Sequence, residues 1–471
     1  MQYTADLHVH GKYSRAVSQD MVLPKMAEWA RKKGIDILTT SDWTHPLWQR
    51  ELKSILEEKE EGLYRLKEGE KKVQFILTTE ISSIYSQGGK LRRIHNLIFS
   101  PSLETCENVS RQLLKKGCNL SSDGRPIIGL SSKDLLELVL SVDERCILIP
   151  CHVWTPWFSL YGSKSGFASI EECFGNYSKY IYGVETGLSS DPEMNWRIKE
   201  LDNRSILSSS DAHSPAKMGR EATVFELERP NYENIVKAIK PQSIKGTTGT
   251  TSTKGNKALG TPGTLDTRGT RILYTIEFYP EEGKYHYTGH RNCKVVHSPK
   301  DSKEKGIICP NCKRELTVGV MHQIEEMGEK IPDDSLIKIK TNDLGVKWIG
   351  DPRGNHPPFV KIVPLLEVVS ESLSSTTASQ KVKDEYEKLC SALGSEFNIL
   401  LRTKLLDIEK AGGPKIAEGI RKVRSGDIVV EPGFDGEYGK VKIWQERKKE
   451  KADEKLEVKV KKQEPQLSME F

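Results

Sequence analysis

Length, composition and charge limit what this chain can be. Its 471 residues exceed one ordinary hydrophobic core and predict two or three domains. The formal net charge of +5 is a mild excess, and the basic runs concentrate in the C-terminal half. No apolar run approaches the roughly 18–20 residues of a membrane span, and the start MQYTADLHVH has no features of a signal peptide. Nine mostly scattered cysteines favour a reducing cytoplasm over a disulfide framework.

Residues 1–242 alternate short apolar runs with helical patterns. The segment MVLPKMAEWARKKG predicts a helix that ends at Gly34. The later apolar runs each end in polar or ionisable residues. Runs that are apolar on both faces belong to parallel sheets covered by helices, and functional groups gather at the carboxyl ends of such strands. We therefore expect an α/β enzyme, with a strand count that favours a distorted barrel. The runs are ADLHV, IDILTTSD, VQFILTTEIS, RIHNLIFS, CILIPCHVW, YIYGVETGL and SILSSSDAHS.

The ionisable residues at these strand ends predict a metal centre. His8 and His10 point to the same side of the first strand, although an isolated HxH pair equally suits two partly exposed histidines. If all the ionisable side chains at the strand ends were crowded together without partners, they would strongly destabilise the fold. Two or three ions of Zn²⁺, Mn²⁺ or Fe²⁺, bridged by Glu80, would bind these side chains and remove that cost. The candidate ligands are His8, His10, Asp20, Asp42, His45, Glu80, His95, His152, Glu185, Asp211 and His213.

The segments DLHVH, SDWTH, TTE, IHN, CHV and SSDAHS, in this order, resemble the motifs of the PHP (polymerase and histidinol phosphatase) superfamily. The resemblance implies a distorted (β/α)7 barrel whose trinuclear metal centre hydrolyses phosphate esters. We take Asp211, His10 and Glu80 as the catalytic residues. The family's ligand positions correspond to His8, His10, Asp20, Glu80, His95, His152, Asp211 and His213.

Two positions leave alternatives open. The family has Asp and His adjacent after the second strand, whereas Trp43 follows Asp42 here. We expect His45 to fill the ligand position, with Asp42 either a ligand or a group that orients one. Glu185 is either a ligand or a structural hydrogen-bonding residue.

The second half of the chain is organised differently. Residues 243–270 are rich in Gly and Thr and predict a linker, because they cannot bury a core. Residues 271–360 predict a small zinc-binding domain, and residues 361–445 predict a helical domain. Residues 446–471 form a highly charged tail.

The segments HRNC and CPNC have the spacing of a zinc ribbon. Cys293, Cys309 and Cys312 are the candidate thiolate ligands, with His290 as the fourth ligand and His297 as the alternative. A closed site of this kind would stabilise a small domain and present a surface to phosphates. Its basic residues include Lys294, Lys313 and Arg314.

The segment IEKAGGPKIAEGIRKVRSG resembles a degenerate helix-hairpin-helix motif, whose backbone amides bind a DNA phosphate. The two glycines, Gly412 and Gly413, are adjacent, so an ordinary helix pair is nearly as plausible. The candidate DNA-binding residues of this segment are Lys415, Arg421, Lys422 and Arg424.

The combination of a PHP barrel, a zinc ribbon and a basic helical domain resembles the endonuclease Q family of DNA-repair nucleases. The segments TIEFYPEEGKYHYTGHRNC and HPPFVKIVPLLEVV carry this resemblance in the middle of the chain. It implies nicking on the 5′ side of uracil, hypoxanthine, xanthine and abasic sites, with the damaged base flipped into a pocket. Trp43, Trp48, Trp154 and Trp157 lie next to ligand motifs and are candidates for stacking on a base, although packing is the commoner role.

The last six residues, QLSMEF, resemble the peptide that binds the bacterial sliding clamp. The proposed contacts are Gln466, Leu467, Met469 and Phe471. This resemblance implies a bacterial host, and tethering would raise the local concentration of the protein on DNA. We expect a cytoplasmic, nucleoid-associated monomer.

Two alternatives to a repair nuclease remain. A small-molecule phosphatase of the histidinol phosphatase type would use the same barrel but has no need for the C-terminal half. A metal-free scaffold recruited to DNA would not need a nearly full ligand set. The sequence names neither the barrel metals nor the residues that would line a base pocket.

Overall fold

A mixed α/β fold forms the protein in the computed structural model, which describes residues 1–240, 269–328 and 337–445. The predicted clamp-binding peptide and most of the predicted linker lie outside these residues. Within the described ranges, no helix combines the length and apolarity that crossing a bilayer requires.

The first 240 residues contain eleven described strands and seven described α-helices. The strands are β1 (Gln2–Asp6), β2 (Ile37–Thr39), β3 (Leu56–Glu60), β4 (Leu63–Leu66), β5 (Gln74–Gln87), β6 (Lys90–Ser100), β7 (Ile127–Ile128), β8 (Ile147–Pro150), β9 (Gly183–Glu185), β10 (Ser205–Leu207) and β11 (Ala222–Glu226). The helices are α1 (Leu23–Lys33), α2 (Pro46–Ile55), α3 (Leu103–Lys115), α4 (Ser132–Val142), α5 (Ile170–Phe174), α6 (Pro192–Asn195) and α7 (Tyr232–Ile239).

The described residues after 268 contain short strands followed by a helical segment. The strands are β12 (Arg271–Glu277), β13 (Thr288–His290), β14 (Val295–His297), β15 (Lys338–Thr341), β16 (Lys347–Gly350), β17 (Phe359–Lys361), β18 (Val429–Glu431) and β19 (Lys440–Lys442). The helices are α8 (Pro299–Lys305), α9 (Val320–Met327), α10 (Leu365–Ser372), α11 (Gln380–Leu393), α12 (Glu396–Leu401), α13 (Leu405–Gly412) and α14 (Pro414–Ser425).

One large sheet joins the two halves of the chain. Strands β1, β2 and β5 are parallel neighbours, and β11 and β12 continue the sheet from β1 towards β17. On the other side, β6 pairs antiparallel with both β5 and β8. Strands β9 and β10 form a separate parallel pair. The strand directions are therefore mixed, unlike the all-parallel sheet that the apolar runs predict.

The mixed direction arises from a long hairpin formed by β5 and β6. Two glycines, Gly88 and Gly89, connect the strands with φ values of 61° and 72°. Consecutive left-handed residues match the twist of a two-residue hairpin turn, and glycine adopts them without steric cost. Two segments that read as separate buried strands therefore form one antiparallel unit.

Helix α1 shows how the sequence pattern positions an element. It buries Leu23, Met26, Ala27 and Ala30, which recur at helical spacing. It ends, as predicted, at Gly34, whose φ of 91° stops the helix with a left-handed residue. The last helical residue, Lys33, is completely buried.

A buried ion pair connects α1 to the C-terminal helices. The Nζ atom of Lys33 lies 2.8 Å from Oε2 of Glu396 on α12, and neither side chain has exposed surface. Glu396 also accepts hydrogen bonds from the Tyr386 hydroxyl, at 2.9 Å, and from the Leu365 backbone N–H, at 3.0 Å. Four helices therefore meet at one carboxylate.

We predict that Lys33→Met lowers the free energy of unfolding by about 3–5 kcal/mol, because it leaves the Glu396 charge buried without its cationic partner. The matched control is Lys32→Met. Lys32 pairs with Glu387 at a partly exposed site, so its loss costs less than about 1 kcal/mol. Urea denaturation followed by tryptophan fluorescence measures both values. Equal effects would contradict the importance of the buried pair.

Candidate metal centre and nucleic-acid interface

One buried carboxylate, that of Glu80, lies at the centre of a ligand cluster. Glu80 is on β5, and its side chain has no exposed surface. Its oxygens lie 2.5 Å from His95 Nδ1, 3.2 Å from His152 Nε2 and 3.4 Å from His10 Nε2. The cluster around it contains His8, His10, His95, His152 and Asp211, with His213 beside His10.

The hairpin of β5 and β6 places two of these side chains on one face. Glu80 pairs with Leu97 across the ladder, and Ser82 pairs with His95. Glu80 and His95 are therefore diagonal neighbours on the same side of the sheet. Both ligands lie within the strands rather than at their carboxyl ends.

Backbone pairing brings Asp211 to the histidines that follow β1. The Asp211 N–H donates to the His8 carbonyl at 2.9 Å, and the His10 N–H donates to the Ala212 carbonyl at 3.0 Å. Asp211 Oδ1 lies 3.0 Å from His10 Nε2, and the His213 ring centroid is 4.8 Å from that of His10. The Asp211 and His213 side chains are 26% and 34% exposed, so the cluster opens to solvent on this side.

Two further carboxylates orient the imidazole rings. Glu185 lies 3.0 Å from His8 Nδ1 and accepts a hydrogen bond from the His152 backbone N–H at 3.1 Å. Asp42 Oδ1 lies 3.3 Å from His10 Nδ1, while its Oδ2 accepts hydrogen bonds from Gly11 N–H and the Ser14 hydroxyl. Each contact holds one ring nitrogen and leaves Nε2 facing the cluster, which is the usual arrangement of a carboxylate behind a metal-binding histidine.

The electrostatics of the cluster favour bound cations. Burial opposes protonation of His8 and His10, yet Glu185 raises the pKa of His8 well above its usual value, and Asp42 and Asp211 raise the pKa of His10 to about 9. Burial instead lowers the pKa of His95 to about 4. The carboxylates thus create a negative potential in which a divalent ion would replace protons on the imidazoles.

The donor atoms fit a divalent metal. Two buried atoms, His8 Nε2 and His152 Nδ1, make no hydrogen bond within the described residues, and His10 Nε2 and Asp211 Oδ1 contact each other at 3.0 Å. Such atoms are rare in proteins and call for a partner. The mixed imidazole and carboxylate set suits Zn²⁺, Mn²⁺ or Fe²⁺.

The backbone around the cluster is strained. Asp42, His152, Asp211 and Phe158 have φ values of 38°, 29°, 46° and 63°. Residues other than glycine rarely adopt such values, at a cost of about 1–3 kcal/mol each, and they concentrate at functional sites.

Besides Asp42 and Glu185, which contact the cluster from behind, two predicted ligands lie outside it. Asp20 is exposed and forms an ion pair with Lys25, one turn into α1. His45 directly precedes α2 without a capping hydrogen bond from its side chain, and its ring stacks on Tyr13 with centroids 4.4 Å apart. The ligand assignments of Asp20 and His45 are therefore corrected, and Asp42 is left as a group that orients His10.

The structure adds two residues that the sequence analysis missed. Cys151 belongs to a group with His8 and Glu80 whose ligand atoms lie within 4.8 Å of one another. Its position directly before His152, in the segment CHV, was the available signal. Arg125 Nη1 lies 3.2 Å from Glu80 Oε2, a contact that no local pattern in its loop indicates.

A cavity of about 330 Å³ lies beside the cluster. Phe158 connects the two, because its ring centroid is 4.8 Å from that of His95. Trp157 and Tyr285 form another wall, with ring centroids 5.6 Å apart. The Arg93 guanidinium lies 5.5 Å from the Phe158 ring centroid and makes no hydrogen bond or ion pair within the described residues.

The other candidate tryptophans are packed inside the protein. Trp43, Trp48 and Trp154 are no more than 1% exposed. The Trp154 indole N–H donates to Asn195 Oδ1 at 2.8 Å. The predicted stacking of Trp43 and Trp154 on DNA is therefore corrected, since neither ring is accessible, whereas Trp157 is half-buried at the cavity.

A second ligand group lies at the hairpin of β13 and β14. The ligand atoms of His290, Cys293, Cys309 and Cys312 lie within 4.8 Å of one another. Hydrogen bonds from the Cys312 backbone N–H and from His290 outweigh desolvation and lower the pKa of Cys309 to about 6. The alternative ligand His297 is not in this group. Three sulfur atoms and one imidazole nitrogen suit a structural Zn²⁺ site.

The C-terminal basic residues have different environments. Helices α13 and α14 meet at Gly413, whose φ is 84°, as a hairpin of helices requires. The Lys415 and Arg421 side chains are 54% and 51% exposed, while Lys422 is 15% exposed and pairs with Asp427 at 2.7 Å. An ordinary helix pair and a phosphate-binding hairpin both fit this geometry.

Arg424 is not available to DNA. It is 3% exposed and donates hydrogen bonds to the carbonyls of Leu400, Ile399, Thr403 and Leu344. Burial lowers the pKa of its guanidinium to about 10. Its predicted role in DNA binding is corrected, because its donors stabilise the end of α12.

Comparisons with known proteins cover nearly the whole chain. Residues 197–243 match the family described as PHP-associated, and residues 364–427 match the MJ0043 C-terminal domain family. The uncharacterized protein MJ0043 of Methanocaldococcus jannaschii is 30% identical over 295 residues, which are 61% of this chain and 31% of that protein. The chain thus spans about a third of that relative. The uncharacterized protein YqxK of Bacillus subtilis is 27% identical over 460 residues, covering 93% of this chain and 98% of that protein.

Solved structures extend the similarity to the fold. The lesion-specific endonuclease PfuEndoQ from Pyrococcus furiosus matches with a TM-score of 0.74 and 28% identity, covering 95% of this chain and 96% of that one. The chain is similar to endonuclease Q. A complex of endonuclease Q with a 27-mer duplex, which has an abasic lesion at the active site, matches equally well, over 94% of this chain and 97% of that one. The α/β fold is confirmed at this level, while the expectation of a bacterial host stays a prediction.

We predict that Cys309→Ser removes about one equivalent of zinc from the full-length protein, because it deletes one of four ligands. The matched control is Cys118→Ser, a partly buried cysteine outside both ligand groups. Elemental analysis of the dialysed proteins measures the difference. Equal zinc in the wild-type protein and Cys309→Ser would contradict a ribbon site.

Proposed function

We propose that this protein is a metal-dependent endodeoxyribonuclease. It nicks DNA on the 5′ side of deaminated bases, namely uracil, hypoxanthine and xanthine, and of abasic sites. The observation that carries the proposal is the buried ligand cluster around Glu80 in a chain similar to endonuclease Q over nearly its whole length. The duplex in one of the similar structures supports DNA as the substrate.

The cluster would hold two or three divalent ions, of Zn, Mn, Mg or Fe, in a distorted (β/α)7 barrel of the PHP type. When bound, such ions supply an activated water and electrostatic stabilisation for phosphodiester hydrolysis. Glu185 and Asp42 fix the rings of His8 and His10, so the ligand geometry is set before substrate arrives. Asp211 lies on the open side, where a phosphodiester can approach. The proposed ligands are His8, His10, Glu80, His95, His152, Asp211 and His213.

Exposed basic side chains support contact with the DNA backbone. Lys415 and Arg421 lie on α14, and Lys294, Lys313 and Arg314 lie near the cysteine group. Contacts of this kind set the position and orientation of a protein on a duplex and are independent of sequence. Recognition of a lesion therefore requires a separate site for the base.

The cavity beside His95 is the proposed site for the extruded base. Trp157, Phe158 and Tyr285 offer aromatic surfaces for stacking, and Arg93 offers unpaired N–H donors. Deamination replaces an exocyclic amine, which donates hydrogen bonds, by a carbonyl, which accepts them. A guanidinium donor in the pocket would therefore favour each deaminated base over the amino base from which it arises, namely uracil over cytosine, hypoxanthine over adenine and xanthine over guanine.

The predicted clamp contacts at Gln466, Leu467, Met469 and Phe471 lie outside the described residues. Tethering to a sliding clamp is part of the proposal on the basis of the sequence alone. The same applies to a cytoplasmic, nucleoid-associated location, to the monomeric state and to the division of the chain into domains.

We predict that the wild-type protein with Mg²⁺ or Mn²⁺ makes one nick directly 5′ of a central deoxyuridine in an end-labelled duplex. Asp211→Asn slows this reaction by about 10³-fold, equivalent to about 4 kcal/mol, because a carboxylate of the cluster loses its charge. A sequencing gel gives the position of the cut and the rates of the wild-type and Asp211→Asn proteins, with an undamaged duplex as the substrate control.

The matched control is Asp20→Asn, which removes an exposed carboxylate outside the cluster and leaves the rate within about threefold. Hydrolysis of a small phosphomonoester with all duplexes intact would replace the nuclease proposal by a phosphatase. Nicking that persists in Asp211→Asn would place the chemistry elsewhere.

We predict that Arg93→Ala slows nicking at deoxyuridine and deoxyinosine by about 10–100-fold, the worth of a lost charged hydrogen bond of about 1.5–3 kcal/mol. Nicking at an abasic site stays within about threefold, since it offers no base to the cavity. Single-turnover rates on the three duplexes test this, with Lys90→Ala, an exposed cation near the start of the same strand, as the control. A parallel loss on all three duplexes would contradict a role in reading the base.

A further inference from the structure

Arg125 is held rigidly at the edge of the Glu80 cluster. Gly124 packs so closely that an added Cβ would lie 2.3 Å from Ser14 Oγ and 2.8 Å from Asp42 Oδ2. Asp123 Oδ1 accepts the Arg125 backbone N–H at 3.2 Å. The loop that carries Arg125 is therefore fixed directly against the carboxylate that orients His10.

The guanidinium is only partly used within the protein. Arg125 Nη1 donates to Glu80 Oε2 at 3.2 Å, and the side chain is 25% exposed. Its other N–H groups have no hydrogen-bond partner within the described residues. A guanidinium has five donors in a planar fork that matches the oxygens of a phosphate. One edge of the Arg125 guanidinium thus contacts the cluster, and its remaining N–H groups are free to bind a ligand at the solvent-exposed side of the cluster.

The formal charges of the cluster with metal bound would favour an anion next to Arg125. Four carboxylates, those of Asp42, Glu80, Glu185 and Asp211, would balance two divalent ions. Arg125 then leaves one positive charge in excess, and a third ion would increase the excess. A buried or half-buried excess charge is costly without a partner. A phosphodiester carries one negative charge and presents two free oxygens.

We propose that Arg125 binds a non-bridging oxygen of the scissile phosphodiester and stabilises the charge that develops on it during hydrolysis. This inference rests on the proposed nuclease function. Because the loop is fixed, the donor would be in place before the reaction, which is the condition under which such groups accelerate it. Arg125 would act on the phosphate rather than on the lesion base.

The test uses the full-length protein and a duplex with one abasic site, which removes any contribution of the base. Arg125→Ala, Arg125→Lys and Arg15→Ala are compared with the wild-type protein. Arg15 is the matched control, since the same Asp123 holds it, at 3.4 Å, but its side chain is 75% exposed. The measurements are the single-turnover rate at saturating enzyme, the half-saturating enzyme concentration and the metal content.

We expect Arg125→Ala to slow the saturated rate by about 10²–10³-fold, as loss of one preorganised donor does. Its metal content stays at the wild-type level, and added guanidinium ion restores the rate at least about tenfold. Arg125→Lys recovers part of the rate, because lysine supplies a point charge without the fork. Arg15→Ala stays within about threefold.

An unchanged rate in Arg125→Ala would overturn the inference, and so would a loss of bound metal, which would make Arg125 a structural partner of Glu80. The wild-type protein distinguishes this failure from failure of the function. If it leaves the abasic duplex intact, the proposed nuclease activity fails. If it nicks the duplex and Arg125→Ala does so equally fast, only the role of Arg125 fails.

Discussion

The buried charge of Glu80 is the constraint on which the first 240 residues of this protein depend. An ionised carboxylate without solvent contact is tolerated only where opposite charges and hydrogen-bond donors surround it. Here those groups come from the segment after β1, from β6, from the segment after β8 and from the loop before β7, so each is positioned by a different part of the fold. The carboxylate and the tertiary structure therefore stabilise each other.

Much of this site was predictable because it follows from local sequence. Alternation of side chains predicts that His8 and His10 point the same way, and both enter the cluster although β1 ends at Asp6. The cysteine spacing likewise predicts its ligand group. Helix α1 ends where its glycine indicates. By contrast, Glu80 and His95 come together through the register of a hairpin, and the sequence pattern alone does not distinguish that hairpin from two parallel strands.

The errors have a common physical origin in tertiary packing. Asp20 and His45 have the right residue types at plausible spacing, but one finds a lysine partner and the other an aromatic ring. Arg424 appears basic and exposed in the sequence, yet carbonyls from two other segments, residues 399–403 and Leu344, surround it. Arg125 is the opposite case, a residue of the site that the sequence does not indicate. Its loop carries no recognisable motif, yet it places Arg125 against the most buried carboxylate of the site.

Cys151 makes the cluster chemically heterogeneous. Burial raises the pKa of its thiol well above the usual value, so the sulfur stays protonated until a metal ion displaces the proton. Thiolate prefers softer ions than carboxylate does. A centre that uses Mn²⁺ or Mg²⁺ would therefore be open to inhibition by cadmium or copper(I). Either ion could bind the Cys151 sulfur beside His8 and exclude the Mn²⁺ or Mg²⁺ ion. On the proposed function, the metal balance of the host cell would then affect the activity of the protein.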